Sequence, residues 1–412
     1  MESNQNDTRA LSKELTNAVW DMKSLGEIGT FSKGKGISKE QISSTGLPCI
    51  RYGEIYTTHE VVIKQFKSFI SEEIAEESQL ISKGDVLFAG SGETIEDIGK
   101  AVAYIGEERA YAGGDIIVLS TNEEVQAEFL SFTLNTDIAN KQKRRLGQGQ
   151  QVVHIYPSDL AQIKIPLPPL PEQRAIARVL NTWDTAIHTT EKLIAQKELR
   201  KKWLMQQLLS GKRRLKGFGS EWGYVRFNEI YSQIKRTACY DKFIVLSVTK
   251  DGIVSQAEYF NKEIASEDTS QYLVIKRGDM VMSGLNFWMG SIDVLTAYEV
   301  GMVSPAYKAF EISNENISPA FMKYFVRSEV MLRALVGSSV TGASIVRRNL
   351  DRETLDEWSF HLPDLNEQTA IAQILQVVNK EISLLKTKAE KLREQKKGLM
   401  QVLLTGHKRL NH

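Results

Sequence analysis

The chain has 412 residues, enough for two or three domains, and its 42% hydrophobic and 25% charged content suits a chain that buries real cores. Lys plus Arg number 52 against 51 Asp plus Glu, a net charge of +1, which excludes a uniformly basic histone-like binder but not a basic stripe balanced elsewhere. Two cysteines and six scattered histidines exclude a disulfide scaffold and give no metal-binding spacing; Cys49 and Cys239 each read as a buried small hydrophobe in a reducing compartment.

Residues 1–19 are a polar N-terminal extension with no signal-peptide core, and the apolar runs fall far short of the roughly 18 residues of a membrane span. A cytoplasmic protein with no membrane partner is expected. From Trp20, short apolar runs predict strands at 47–50, 86–88, 101–105 and 116–119, and a helix over 128–144. Glu72, Glu73, Glu76 and Glu77 sit at helical spacing and read as a solvated acidic face. The run Lys141-Gln142-Lys143-Arg144-Arg145 leads into Gly147-Gln148-Gly149-Gln150-Gln151. A glycine-rich loop beside clustered cations can place side chains in a DNA groove and anchor phosphates; Gln suits adenine and Arg guanine. Lys143, Arg144, Arg145, Gln148, Gln150 and Gln151 are therefore candidate DNA contacts.

Four of the nine prolines, Pro166, Pro168, Pro169 and Pro171, hold the next stretch extended up to a helix start. A long helix is predicted over 172–209, roughly 57 Å at about 1.5 Å per residue. Ile176, Leu180, Trp183, Ile187, Ile194, Leu204 and Leu208 form a seam alternating by 4 and 3, with Thr190, Lys197 and Lys201 at its remaining positions. Such heptads indicate a coiled coil, and Gly211 is placed to cap the end.

The second half begins at Trp222. Strands are predicted at 243–248, 280–282 and 306–312 and a helix at 319–335. A polar loop, Gly337 to Ser344, precedes Arg347-Arg348, so Ser338, Ser339, Thr341, Arg347 and Arg348 are the matching DNA candidates. Asp364 to Glu367 read as a capping box opening a second long helix. Its seam is Ile371, Leu375, Val378, Ile382, Leu385, Ala389, Leu392, Lys396, Leu399 and Leu403, and Gly406 matches Gly211.

The halves are an internal repeat. Residues 172–215 align with 367–410 without a gap and share 17 of 44 identities, against about 6–7% by chance. Trp20 with Leu25-Gly26-Glu27-Ile28 matches Trp222 with Phe227-Asn228-Glu229-Ile230, and Lys83-Gly84-Asp85 matches Arg277-Gly278-Asp279. No phosphate loop, dinucleotide fingerprint, nucleophile elbow or amino-methyltransferase tetrapeptide occurs. Two divergent blocks attached to two similar helices suit recognition better than catalysis.

With Ile165-Pro166-Leu167-Pro168-Pro169-Leu170-Pro171-Glu172-Gln173 and its second version His361-Leu362-Pro363-Asp364-Leu365-Asn366-Glu367-Gln368, each followed by Ala-Ile-Ala, the chain resembles the specificity subunits of Type I DNA restriction–modification systems. Leu246-Ser247-Val248-Thr249 before Gly252-Ile253 adds to the likeness, which spans Trp20 to Leu410. The resemblance implies an α+β architecture: two similar mixed α/β target recognition domains, at 20–165 and 222–360, separated by helical regions at 166–216 and 361–412. It implies that the helices form an antiparallel coiled coil with internal pseudo-two-fold symmetry. Each recognition domain would read one half of a bipartite double-stranded DNA target. The chain would have no catalysis and no cofactor of its own. It would recruit two methyltransferase (modification) subunits and, in the full complex, two restriction subunits. A DNA-reading enzyme with an unrecognised nuclease site and a structural coiled-coil adaptor are the alternatives.

Overall fold

The computed structural model describes residues 20–149, 151–239, 242–260, 268–344 and 347–410, and only the backbone of 341–344 and 347. The chain forms two compact units, one of residues 1–189 with 388–412, the other of residues 190–387. The divisions fall inside the long helices, so each unit combines one variable block with the start of one helix and the end of the other.

In the first unit a five-stranded sheet runs in the order Gly29–Lys33, Ile116–Thr121, Asp85–Ala89, Ala101–Tyr104, Val62–Ile63. Asp85–Ala89 is buried along its whole length, as expected of a central strand covered on two faces. Leu87, Ala89, Val102 and Val118 face one core, and Val86, Phe88, Ala101 and Leu119 face another, the period-2 alternation of a strand. A four-stranded sheet, Ser68–Ile70, Leu47–Ile50, Ala110–Ala112, Gln79–Ile81, lies beside it.

The second unit repeats the main sheet order with Tyr231–Gln233, Tyr307–Ile312, Met280–Ser283 and Ile292–Val294. The repeated Gly-Asp motif is a turn. Gly84 (φ +98°) and Gly278 (φ +97°) take the left-handed conformation. Asp85 then accepts from the Ser82 N–H and Asp279 from the Lys276 N–H, both at 2.7 Å, which closes the turn into the central strand.

Two expected helices are each broken in two. The 128–144 stretch forms Ala127–Leu134 and Asp137–Leu146; the 319–335 stretch forms Pro319–Phe325 and Glu329–Gly337. At the breaks Thr136 and Ser328 act as N-caps, their hydroxyls accepting from the Ala139 and Met331 N–H groups. Asn135 also leaves the helix path to pair its amide with the Ala101 N–H and C=O, at 3.1 and 2.7 Å. Glu72–Glu77 is a short helix with exposed glutamates. Cys49 is buried, and burial pushes its thiol up to about 12; Cys239 is exposed at φ +53°, contrary to the expectation of a buried residue.

The long helices span Leu170–Leu208 and Leu365–Leu403, with Pro171 in the first turn of the first. Every seam position is buried or half-buried. In the first unit Ile176 and Leu180 pack with Leu399 and Leu403, and in the second Leu204 and Leu208 pack with Ile371 and Leu375. The start of each helix therefore meets the end of the other, which is antiparallel pairing. Two polar seam positions are paired as well: Lys396 with Asp184, and Lys197 with Glu381 at 2.5 Å.

Candidate nucleic-acid interface

Each helix start is locked to its block by the repeated Glu-Gln pair. Glu172 accepts from the Trp20 indole N–H at 3.2 Å and from two guanidinium nitrogens of Arg409 at 2.6 and 2.7 Å. Glu367 does the same with Trp222 at 3.0 Å and with Arg214 at 2.6 and 2.8 Å. Each arginine also lies over the indole, 5.3 Å away for Arg409 on Trp20 and 5.5 Å for Arg214 on Trp222. Gln173 accepts from the Gln126 N–H and donates to the Glu124 and Pro168 carbonyls; Gln368 accepts from the Ser318 N–H and donates to Asn316 and Pro363. Gly406 and Gly211 end the helices at φ +74° and +71°, where a β-carbon would press on Trp20 at 3.3 Å and Trp222 at 3.0 Å. The capping box expected at Asp364 is only half formed. Asp364 accepts from the Glu367 N–H at 2.9 Å, but the Glu367 carboxylate turns instead to Arg214 and Trp222.

The candidate DNA residues are held at the far side of the sheet strands from these latches, in a loop cluster that recurs in each unit. In the first, the helix Asp137–Leu146 leads through Gly147 to a tight hairpin in which the Gln148 and His154 backbones exchange hydrogen bonds of 2.9 and 2.7 Å. Val153–His154 pairs with Ser91–Gly92, so the loop leaving the central strand braces the hairpin. At Gly149 (φ +124°) a β-carbon would lie 2.1 Å from the Val152 carbonyl oxygen, so the tip requires glycine. Arg144, Arg145, Gln148 and Gln151 are exposed together here; Gln150 lies outside the described residues.

Lys143 is different. Its side chain is 1% exposed, its amine donates to the Gly99 carbonyl at 2.7 Å, and burial, with Arg144 adding repulsion, pulls its pKa down to about 7. It is a packing residue on the inner face of the helix, not a phosphate contact. Ser338 is likewise buried.

In the second unit, Ser339–Ser344 pairs with Arg347–Leu350 in a longer hairpin. Arg348 lies over the Trp288 ring, 4.3 Å from its centre, and donates to the Ser339 hydroxyl at 3.0 Å. Trp288 comes from the turn Phe287–Met289 that follows the central strand Met280–Ser283, the counterpart of the bracing loop in the first unit. The side chains of Thr341 and Arg347 lie outside the described residues.

The basic helix end divides its charges. Arg214 is held by Glu367 and Arg213 lies over Trp203 at 5.6 Å. Lys201, Lys202 and Lys212, with Arg327 and Arg333, line a cavity of about 520 Å³ in the second unit. Its two carboxylates are engaged: Glu329 accepts from Gln206 at 2.8 Å and Glu198 pairs with Lys386 at 2.7 Å. Burial, and then the nearby Arg327 charge, lower the Lys201 pKa. Among the described residues no group of His, Cys, Asp and Glu is arranged to hold a metal ion, and no helix is long and apolar enough to cross a membrane.

Residues 17–198 and 303–394 match the family model of the Type I restriction modification DNA specificity domain. The MjaVIII specificity subunit of a Type I restriction enzyme from Methanocaldococcus jannaschii is 24% identical over 356 residues, covering 81% of each chain. The EcoKI specificity subunit of Escherichia coli is 25% identical over 200 residues, 47% of this chain and 42% of that one. Among solved structures, the S subunit of a Type I restriction–modification system from M. genitalium superimposes with a TM-score of 0.56 at 14% identity, covering 94% of this chain and 97% of that one. The HsdS subunit from Thermoanaerobacter tengcongensis gives 0.51 at 17% identity, with 95% and 97% coverage.

Proposed function

The chain belongs to the Type I restriction–modification DNA specificity family, and from that membership we propose that residues 20–165 and 222–360 each read one half of a bipartite DNA target. The observation that carries this reading is the repeated loop cluster. In each unit a hairpin and the loop after the central strand expose or frame Arg and Gln or Ser on a rigid sheet, which is how base-reading side chains are held. Arg144 and Arg145 supply phosphate contacts, and the cations around the 520 Å³ cavity add to the salt-sensitive share of affinity. The paired helices set the spacer between half-sites and present the surface that recruits two modification subunits and, in the restricting complex, two restriction subunits. The chain itself is non-catalytic; methyl transfer and cleavage come from those partners, which bring their own cofactors. The complex works in the cytoplasm, where its DNA is.

The test is duplex binding by the purified full chain over a salt series, with and without modification subunits. Sequence-selective binding whose log affinity falls linearly with log salt, without cleavage or methylation by the chain alone, is expected. Cleavage or methyl transfer by the chain alone would favour a fused enzyme, and the absence of salt-dependent binding in any assembly would favour a structural adaptor.

A further inference from the structure

The sequence marks Arg348 as a candidate DNA contact without choosing between base and phosphate. Its setting is unlike that of a phosphate contact, which needs only a mobile charge near the backbone. The guanidinium lies over the Trp288 ring at 4.3 Å and is tied to Ser339 at 3.0 Å, so it is held at two points before any ligand arrives. Hairpin register puts Arg348 opposite Thr341 and, on the same face, diagonal to Ser339; Val340 and Asn349 point to the other face, where they are exposed.

A second observation is a set of unsatisfied polar atoms around the arginine. Among the described residues, Trp288 Nε1, Arg348 Nε and the Ser338 hydroxyl are buried without hydrogen-bond partners, and all three belong to this corner of the hairpin. Indole N–H and guanidinium N–H groups can only donate, and buried donors left unpaired are costly enough that such groups are nearly always satisfied. The turn carrying Trp288 adds exposed Leu285 and Met289 beside them, an apolar rim of the kind that meets base methyl groups and not phosphates.

We propose that Arg348, held in place by Trp288 and Ser339, is a specificity-determining residue that reads a base edge, with guanine the base whose paired acceptors fit a positioned guanidinium. Trp288 is its positioning residue. This rests on the second block reading DNA, so the experiment tests the two separately.

Bound duplexes are selected from a randomised pool by the full chain with its modification subunits, for the unaltered protein, Arg348→Lys, Trp288→Phe, and a chain whose 222–360 block comes from a relative. The block exchange should change one half-site; if it changes neither, the DNA-reading assignment fails. Arg348→Lys keeps the charge but loses the planar fork. It should lower discrimination at one base pair of that half-site by about tenfold or more, with the slope of affinity against salt unchanged. Trp288→Phe should weaken the same position by a smaller factor, and it decides the matter if Arg348→Lys does not fold. An unchanged base preference with affinity lowered equally on all duplexes would make Arg348 a phosphate contact and overturn the inference. So would a loss of thermal stability with no change at any base.

Discussion

The latches and the loop clusters of the two units differ in opposite ways. The latches are near copies: Trp20, Glu172, Gln173 and Arg409 make the same bonds in the first unit as Trp222, Glu367, Gln368 and Arg214 in the second, and Gly406 and Gly211 close on the two indoles alike. The loop clusters share a position but not a chemistry. The first has a two-residue strand pair and a bare Gln148-Gly149 tip; the second has a long hairpin with an arginine pinned on Trp288. Buried, mutually satisfied polar groups tolerate little change because each partner left alone is costly. Exposed loop tips on a fixed sheet can vary freely, which is where a recognition protein needs variation.

Removal of a latch carboxylate should have the largest effect. Glu367→Ala leaves Arg214 and the Trp222 N–H without their acceptor, and Glu172→Ala does the same to Arg409 and Trp20; each should cost roughly 3 kcal/mol or more. Denaturant unfolding should show the two losses to be alike within about 1 kcal/mol, since the bonds correspond. Markedly unequal losses would break the equivalence of the latches. Gln173→Glu or Gln368→Glu is the next test. A carboxylate would face two carbonyl oxygens where the amide now donates, for a loss of roughly 1–3 kcal/mol.

Lys143 supplies a pH-dependent test. Its pKa in the folded chain, about 7, lies below the ordinary lysine value, so between pH 7 and that value the unfolded state binds more protons. Stability from this group therefore rises as pH goes up from about 7, and the full cost of charging the buried amine is present below it. Lys143→Met should flatten that rise in unfolding free energy; an unchanged slope would mean that the amine is not desolvated. The smallest effects on stability should come from the exposed cluster. Gln148→Ala or Gln151→Ala should leave unfolding within about 0.5 kcal/mol but relax one base position by about 1–3 kcal/mol if that glutamine makes a bidentate contact. Arg144→Ala and Arg145→Ala should weaken all duplexes alike, each reducing the salt slope by about 0.9.

Much of the architecture was legible because it obeys period rules. The heptad seam, the left-handed glycines at 211 and 406, and the strand at Leu47–Ile50 stand where pattern places them. The helix breaks at Thr136 and Ser328 were legible too, as threonine and serine before an acidic residue, but apolar periodicity across them masked the caps. Lys143 was misread because a Lys-Arg run suggests solvated charge. Ala139, Lys143 and Leu146 at spacings of 4 and 3 already mark one inner helix face. The roles of Glu172, Gln173 and Arg409 depend on tertiary packing. Their signal was that identities shared between the repeats fall off the seam as well as on it, which packing between helices alone does not require. Nothing local marks Trp288 as the partner of Arg348, since the pair is 60 residues apart.

One exchange tests modular reading by the two blocks most directly. The block 20–165 is replaced by that of a family relative, with both latches and both long helices left intact, and the methylated motif of a host carrying the complex is mapped genome-wide. One half-site should change to the donor's while the other half-site and the spacer stay as they were. A change in both halves, or in neither, would contradict modular reading by the two blocks.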